Sequence, residues 1–328
     1  MRRRRCGTLF LFALAGAGAA FIAPAAVQLP QYPTRPVRVI VPFPAASGLD
    51  VVARLLAQPL SEKLGQNSVI DNRAGAGGTL GADLAAKAPA DGHTLLMIST
   101  SHAFSVSLYR QLPYDLVRDF APITLIAQTP NVMVVTAGVP ATTVKELIAL
   151  AQAKPRTLNF ASSGAGTSSH VAAELFRSMA HVDLVHVPYK GAGAALVAIL
   201  SGEVQVGFFS IPSTQPHLKS GKLRLLGVGS TQRSALLPEL PTIAESGVPG
   251  YDATTWYGAL TPARTPRAIV ERLNRDIVQC MRGGDMRERL AAQGAEPRTG
   301  TPGEFGAYLK AEIVKYARLV KEMGVQPE

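Results

Sequence analysis

Apolar and polar positions along this chain switch between two periods, and the switching predicts its elements. Val37-Arg38-Val39-Ile40-Val41 is a β-branched strand run followed by a loop of small residues. From Asp50 onward, Val51, Val52, Leu55, Leu56, Leu60 and Leu64 recur at helical spacing, with Pro59 placed to kink or split that helix. Ser68–Ile70 reads as strand, Thr79–Ala88 as helix and Thr94–Ser99 as strand. Such βαβαβ order predicts a parallel sheet covered by helices.

A second set begins after Pro130. Strands are expected at Val132–Thr136, Leu158–Ala161, Leu184–Val187, Val204–Phe209 and Leu223–Val228. Helices are expected at Val144–Ala153, Val171–Met179 and Ala194–Leu200. The last third carries two long amphipathic helices, Pro266–Met281 and Pro302–Met323, with few strands of its own to cover. Those helices must pack on the first sheet, so the chain is expected to return to it near Tyr251–Tyr257. The fold class is therefore α/β: two lobes with parallel-rich sheets, joined by a double-crossover hinge. The expected division is 30–131 plus 254–328 for the first lobe and 132–253 for the second.

The N-terminus changes the expected compartment. Arg2 to Arg5 precede an apolar, Ala- and Gly-rich run from Gly7 to Ala23, and Ala23-Pro24-Ala25 offers a small-residue cleavage site. That order predicts a signal peptide over 1–25 in preference to a membrane anchor, and an exported protein. The segment holds four of the 33 Lys and Arg and none of the 23 Asp and Glu. Its removal leaves 29 against 23, a net charge of +6 compared with +10 for the whole sequence. The excess is dispersed without a basic block, which excludes the pattern of nucleic-acid binders but suits an anionic ligand. Only Cys280 remains beyond the segment, so no internal disulfide is expected, and its place on an amphipathic helix suggests packing.

Candidate chemistry sits in three small-residue loops, each expected to lead into a helix. They are Pro42–Asp50 (with Phe43, Ala46, Ser47, Gly48 and Asp50), Ser162–His170, and Pro188–Gly193 with Tyr189 and Lys190. Helix starts present unpaired N–H groups and the positive end of the dipole, a setting for a carboxylate. In the second loop, Ser162, Gly164 and Gly166 allow close approach, and the hydroxyls of Thr167, Ser168 and Ser169 beside His170 add donors. The bland alternative is ordinary capping of each helix by Asp50 or Ser168. Nucleotide, metal and catalytic signatures are missing. Leu80 breaks the Gly75-Ala76-Gly77-Gly78 fingerprint, Lys190 precedes its glycines, and no histidine spacing suits a metal. Trp256 and Tyr257 either wall the cleft or bury at the lobe interface; His102 and Phe104 are further cleft candidates.

Short motifs then resemble one family across nearly the whole exported chain. They include Tyr32-Pro33-x-Arg35-Pro36, Asp71-Asn72-Arg73-Ala74-Gly75-Ala76-Gly77-Gly78, Asp91-Gly92-His93-Thr94-Leu95-Leu96, Gly166-Thr167-Ser168-Ser169-His170 and Val187-Pro188-Tyr189-Lys190-Gly191. The chain resembles the Bug-type (TctC-like) extracytoplasmic receptors of tripartite tricarboxylate transporters. That resemblance implies a monomeric periplasmic Venus-flytrap protein, without cofactor, gripping a small organic carboxylate and delivering it to transmembrane permease subunits. It implies carboxylate contacts from the loops matching Phe43–Asp50 and Gly164–His170. Two departures stand out: Ala46-Ser47 replaces a glycine pair, which would forfeit φ > 0 there, and Phe209 stands where many members carry Asp. An apolar ring at 209 would favour acids with apolar tails over citrate. Sensing for a two-component system and an extracytoplasmic enzyme are the alternative functions.

Overall fold

The computed structural model describes residues 32–322, and the expected export segment lies outside them. Strands β1 (Val37–Val41), β2 (Ser68–Asn72) and β3 (Thr94–Ser99) pair in parallel with β1 in the middle. Helices α1 (Gly48–Leu64) and α2 (Thr79–Ala86) connect them. α1 stays a single helix through Pro59, against expectation. Leu56 and Leu60, flanking the proline, are 3% and 1% exposed, and two such burials offset the roughly 3 kcal/mol an internal proline costs. α3 (Thr100–Leu108) and β4 (Phe120–Thr129) follow.

The second sheet is built from β5 (Asn131–Thr136), β6 (Asn159–Ser162), β7 (Val185–Pro188), β8 (Val206–Ser210) and β9 (Leu223–Val228). Its helices are α4 (Val144–Ala153), α5 (Ser168–Ala180), α6 (Ala192–Ser201) and α7 (Ile211–Leu218). The chain then returns through β10 (Thr255–Pro262), α8 (Arg267–Arg282), α9 (Gly284–Ala291), the short β11 (Glu296–Pro297) and α10 (Pro302–Glu322). Sheet orders are β11-β4-β10-β3-β1-β2 and β7-β6-β8-β5-β9. The parallel cores are β2-β1-β3 and β7-β6-β8, while β10 and β5 run against their neighbours, so each sheet is mixed rather than parallel-rich. The reason is topological: a strand arriving from the other lobe starts at the edge where the parallel strands end.

Only Pro130 separates β4 from β5. Asn131 ties this crossover to the returning one. Its Nδ2 donates to the Ala253 carbonyl at 3.1 Å and to Thr255 Oγ1 at 3.0 Å, and its carbonyl accepts from Gly229 N at 2.7 Å. Trp256 is fully buried on the α10 face, donating from Nε1 to Glu312 Oε2 at 2.8 Å, so it belongs to the core and not to a cleft wall. No described helix is long and apolar enough to cross a membrane.

Candidate functional site

The first loop, 42–49, is held by a buried carboxylate. Asp50 is 1% exposed; its Oδ2 accepts from Ala46 N at 2.8 Å and from Arg54 Nε at 2.9 Å, and its Oδ1 from Asn72 Nδ2 at 2.8 Å. Asn72 Nδ2 also donates to the Phe43 carbonyl at 3.0 Å. Burial alone would raise the Asp50 pKa, but hydrogen bonds from Arg54, Asn72 and Ala46 outweigh it and hold the carboxyl below its ordinary value. Asp50 is thus a brace for the loop rather than a group free to meet an anion. Ala46 keeps the left-handed conformation at φ 64, so the geometry a glycine would provide is retained with strain. Ala46→Gly is expected to raise stability by about 1 kcal/mol, read from the denaturant midpoint.

Ser47 caps α1 by accepting from Asp50 N at 3.3 Å. The amides of Gly48 and Leu49, next to it, have no hydrogen-bond partner among the described residues.

The second loop consumes most of its own donors. Ser163 N donates to Ser169 Oγ at 2.8 Å, Gly164 N to Ser162 Oγ at 3.2 Å and Gly166 N to His170 Nδ1 at 3.1 Å. Thr167 Oγ1 donates to the Gly164 carbonyl at 2.7 Å and lies 3.0 Å from Ser169 Oγ. The hydroxyls of Thr167 and Ser169 therefore shape the loop instead of extending from it, and Ser168 alone of the three lacks a partner among the described residues. Thr167 makes no side-chain cap at the start of α5. The amides of Ala165, Ser168, Ser169 and His170 are left unpartnered among the described residues.

His170 is a bracket under this loop. Because Nδ1 accepts the Gly166 amide, Nε2 carries the proton and faces Glu174 Oε1 at 3.6 Å. Its ring stacks on His186 with centroids 4.1 Å apart and meets the edge of Phe104 at 5.9 Å. Burial, then the neighbouring His170, pushes the His186 pKa down to about 4, so this ring is neutral at neutral pH. Ser162 Oγ is 2.7 Å from His186 Nε2, a nucleophile–base distance, yet Ser162 is fully buried and already accepts the Gly164 amide.

The third loop is fastened to the second by Tyr189 N to the Ser162 carbonyl at 3.0 Å and Gly191 N to the Ser163 carbonyl at 3.2 Å. The Tyr189 side chain turns away, donating to Glu203 Oε1 at 2.9 Å, while Lys190 is exposed and unpaired among the described residues. Phe209 is not brought to the loops. It is 2% exposed on the α6 face of β8, over Gly207 and Ile199, because strand alternation sends Phe208 to the α5 face and its neighbour to the other. His102 lies beneath the first loop, edge-on to Phe43, with Nδ1 accepting from Ser99 N; burial lowers its pKa to about 4.

Sequence patterns gave no role to the glycine turn Ala76–Gly78, which joins the two halves of the cluster. A Cβ on Gly78 would lie 3.3 Å from the Phe43 ring, and one on Gly77 4.0 Å from the Ala165 carbonyl. A Cβ on Gly166 would sit 3.4 Å from Leu108 of α3. Four consecutive positive φ values run through this turn, at Gly75 (147°), Ala76 (46°), Gly77 (63°) and Gly78 (102°), and the glycine-rich run Gly75-Ala76-Gly77-Gly78 was the available signal in the sequence. Among the described residues no group of three or more His, Cys, Asp or Glu could hold a metal ion.

Comparison with known proteins gives consistent findings. Residues 52–325 match the tripartite tricarboxylate transporter family receptor. The chain is 40% identical over 298 residues to a UPF0065 protein of the tcbD-tcbE intergenic region of Pseudomonas sp., covering 90% of this chain and 89% of that one. It is 38% identical to BugT of Bordetella pertussis, covering 93% and 96%. Among solved structures, R. palustris Rpa4515 with adipate superposes at a TM-score of 0.83 with 38% identity, over 90% of this chain and all of that one. MatC from Rhodopseudomonas palustris with bound malate gives 0.79 and 31%, over 88% and 100%.

Proposed function

The chain belongs to the tripartite tricarboxylate transporter receptor family, a family of solute-binding receptors, and on that premise we propose that it captures a small organic carboxylate between its lobes. The observation that carries this is the pair of helix starts with unspent donors: Gly48 and Leu49 on α1, and Ala165, Ser168, Ser169 and His170 at α5. Backbone amides at a helix start, with the dipole behind them, bind an anion without any side-chain charge. The braces described above fix the direction in which these amides point. Phe43, Ala46, Ser47, Gly164, Gly166 and Thr167 give the loops their shape, and the exposed Lys190 attracts the anion at longer range. Support comes from the two relatives whose structures hold adipate and malate, both carboxylates.

With Phe209 in the lobe core, nothing favours apolar-tailed acids over diacids, and the ligand class is a carboxylate of either kind. The lobes divide at 131/132 and 253/254, closure buries the ligand, and the closed form is presented to membrane permease subunits. Export to the periplasm removes residues 1–25, and the bound solute leaves chemically unchanged.

A thermal-shift panel of adipate, malate, citrate, benzoate and a neutral sugar tests this. An acid at 100 times its dissociation constant should add about 2.7 kcal/mol to the native state, a rise of a few degrees in Tm for a chain of this size. Stabilisation by the sugar with none from any acid would overturn the proposal.

A further inference from the structure

We propose that the Tyr257 hydroxyl is a further contact of the bound carboxylate, donating a hydrogen bond to the oxygen seated at the start of α1. This rests on the carboxylate site described above and adds to it a side chain from a different part of the chain. β10 enters the first sheet at the edge where the parallel strands end: Tyr257 pairs with Ser99, the last residue of β3. The crevice outside the carboxyl ends of parallel strands is where α/β folds hold their ligands. Alternation along β10 sends Trp256 to the α10 face and Tyr257 to the opposite, α1 face.

There the hydroxyl lies against the first residue of α1. A Cβ on Gly48 would be only 2.5 Å from Tyr257 Oη, with the next ring atom at 3.5 Å. Tyr257 is 7% exposed, and its hydroxyl has no hydrogen-bond partner among the described residues. The ring is enclosed but the hydroxyl is not sealed off with it, so water can meet this oxygen in the empty protein and an anion seated at the start of α1 would take that water's place. The unpaired amides of Gly48 and Leu49 stand beside it. Burial pushes the Tyr257 pKa well above its ordinary value, so the phenol keeps its proton at any working pH and can only donate to an anion. Glycine at 48 is then a requirement of this contact, since any larger residue would displace the hydroxyl.

The test compares wild type, Tyr257→Phe, Gly48→Ala and the double variant by calorimetric titration with the carboxylates of the panel and by melting without ligand. Tyr257→Phe is expected to melt with the wild type, because no protein bond is lost, and to bind the tightest acid roughly 10- to 100-fold more weakly, the loss of one charge-assisted hydrogen bond. Gly48→Ala should lower the melting temperature, and Tyr257→Phe added to it should restore melting but not affinity. Equal affinity of wild type and Tyr257→Phe for that acid would overturn the contact while the carboxylate site stands. A change in melting with unchanged affinity would also overturn it, assigning the hydroxyl to an ordered water. If no carboxylate binds the wild type, the site itself fails and this contact with it.

Discussion

Asp50→Ala is expected to destabilise the protein by about 2–4 kcal/mol and to weaken carboxylate binding by more than tenfold. The carboxylate is the shared acceptor of Ala46 N, Arg54 Nε and Asn72 Nδ2, and its removal leaves the loop amide, the guanidinium and the amide side chain without that acceptor. Arg54 is half-exposed and can turn to water, so its ion pair contributes the smaller part. The larger part comes from Ala46 and Asn72, whose bonds hold the left-handed turn at 46 and the Phe43 carbonyl. Affinity falls because Gly48 and Leu49 lose their fixed direction. The effect has a defined pH dependence. A carboxyl held below its ordinary value stabilises the fold above that range and ceases to do so as pH falls through the folded value. The stability difference between wild type and Asp50→Asn should therefore be full at neutral pH and shrink below pH about 4. Denaturant titrations at several pH values measure it; a difference that grows toward acid would contradict the assigned brace.

Gly81→Ala should cost about 3 kcal/mol, at the upper end of overpacking effects. A Cβ at 81 would lie 2.7 Å from Pro42 Cβ, 2.9 Å from Pro42 Cα and 3.0 Å from the Arg73 carbonyl. Two of these atoms are backbone and the third is in a proline ring, so no side chain can rotate away. α2 would have to move off the end of β1, where the first loop starts, and ligand affinity should fall with stability. Gly138→Ala is the matched control. It has open space and an ordinary φ, and its melting temperature should equal that of the wild type.

The parallel cores of both sheets could be read from the sequence because short apolar strand runs, buried on both faces as β3 is, alternate with helices such as α1 and α4 that keep a polar face and so a helical period. α3 could not, since Thr100, Ser101, His102 and Ser105 are buried together with Ala103, Phe104 and Leu108, and no face is left polar. β10 is buried along its whole length and likewise lacks alternation, although its place near Tyr257 followed from the need to cover the first sheet. In the site, loop composition pointed to the two helix starts, but not to which donors were already spent. That depends on partners such as Asn72 for Asp50 and His186 for Ser162, which lie on other strands. Tyr189 shows the same limit: its sequence neighbours suggest the loop, and Glu203 takes its hydroxyl elsewhere. Phe209 shows it again, because a residue at a strand end faces cleft or core according to strand alternation.

Asn131 fastens the outgoing and returning crossovers to each other through its side chain, while its carbonyl holds Gly229 at the end of β9. Two ribbons bound side by side can flex together but cannot slip past one another. In the proposed receptor, opening and closing are therefore expected to follow one angular coordinate, with little sideways shear. On the proposed function such a device would act as a caliper: the length of the molecule held between the jaws would set the angle at which they stop, and that angle is what a partner outside would read.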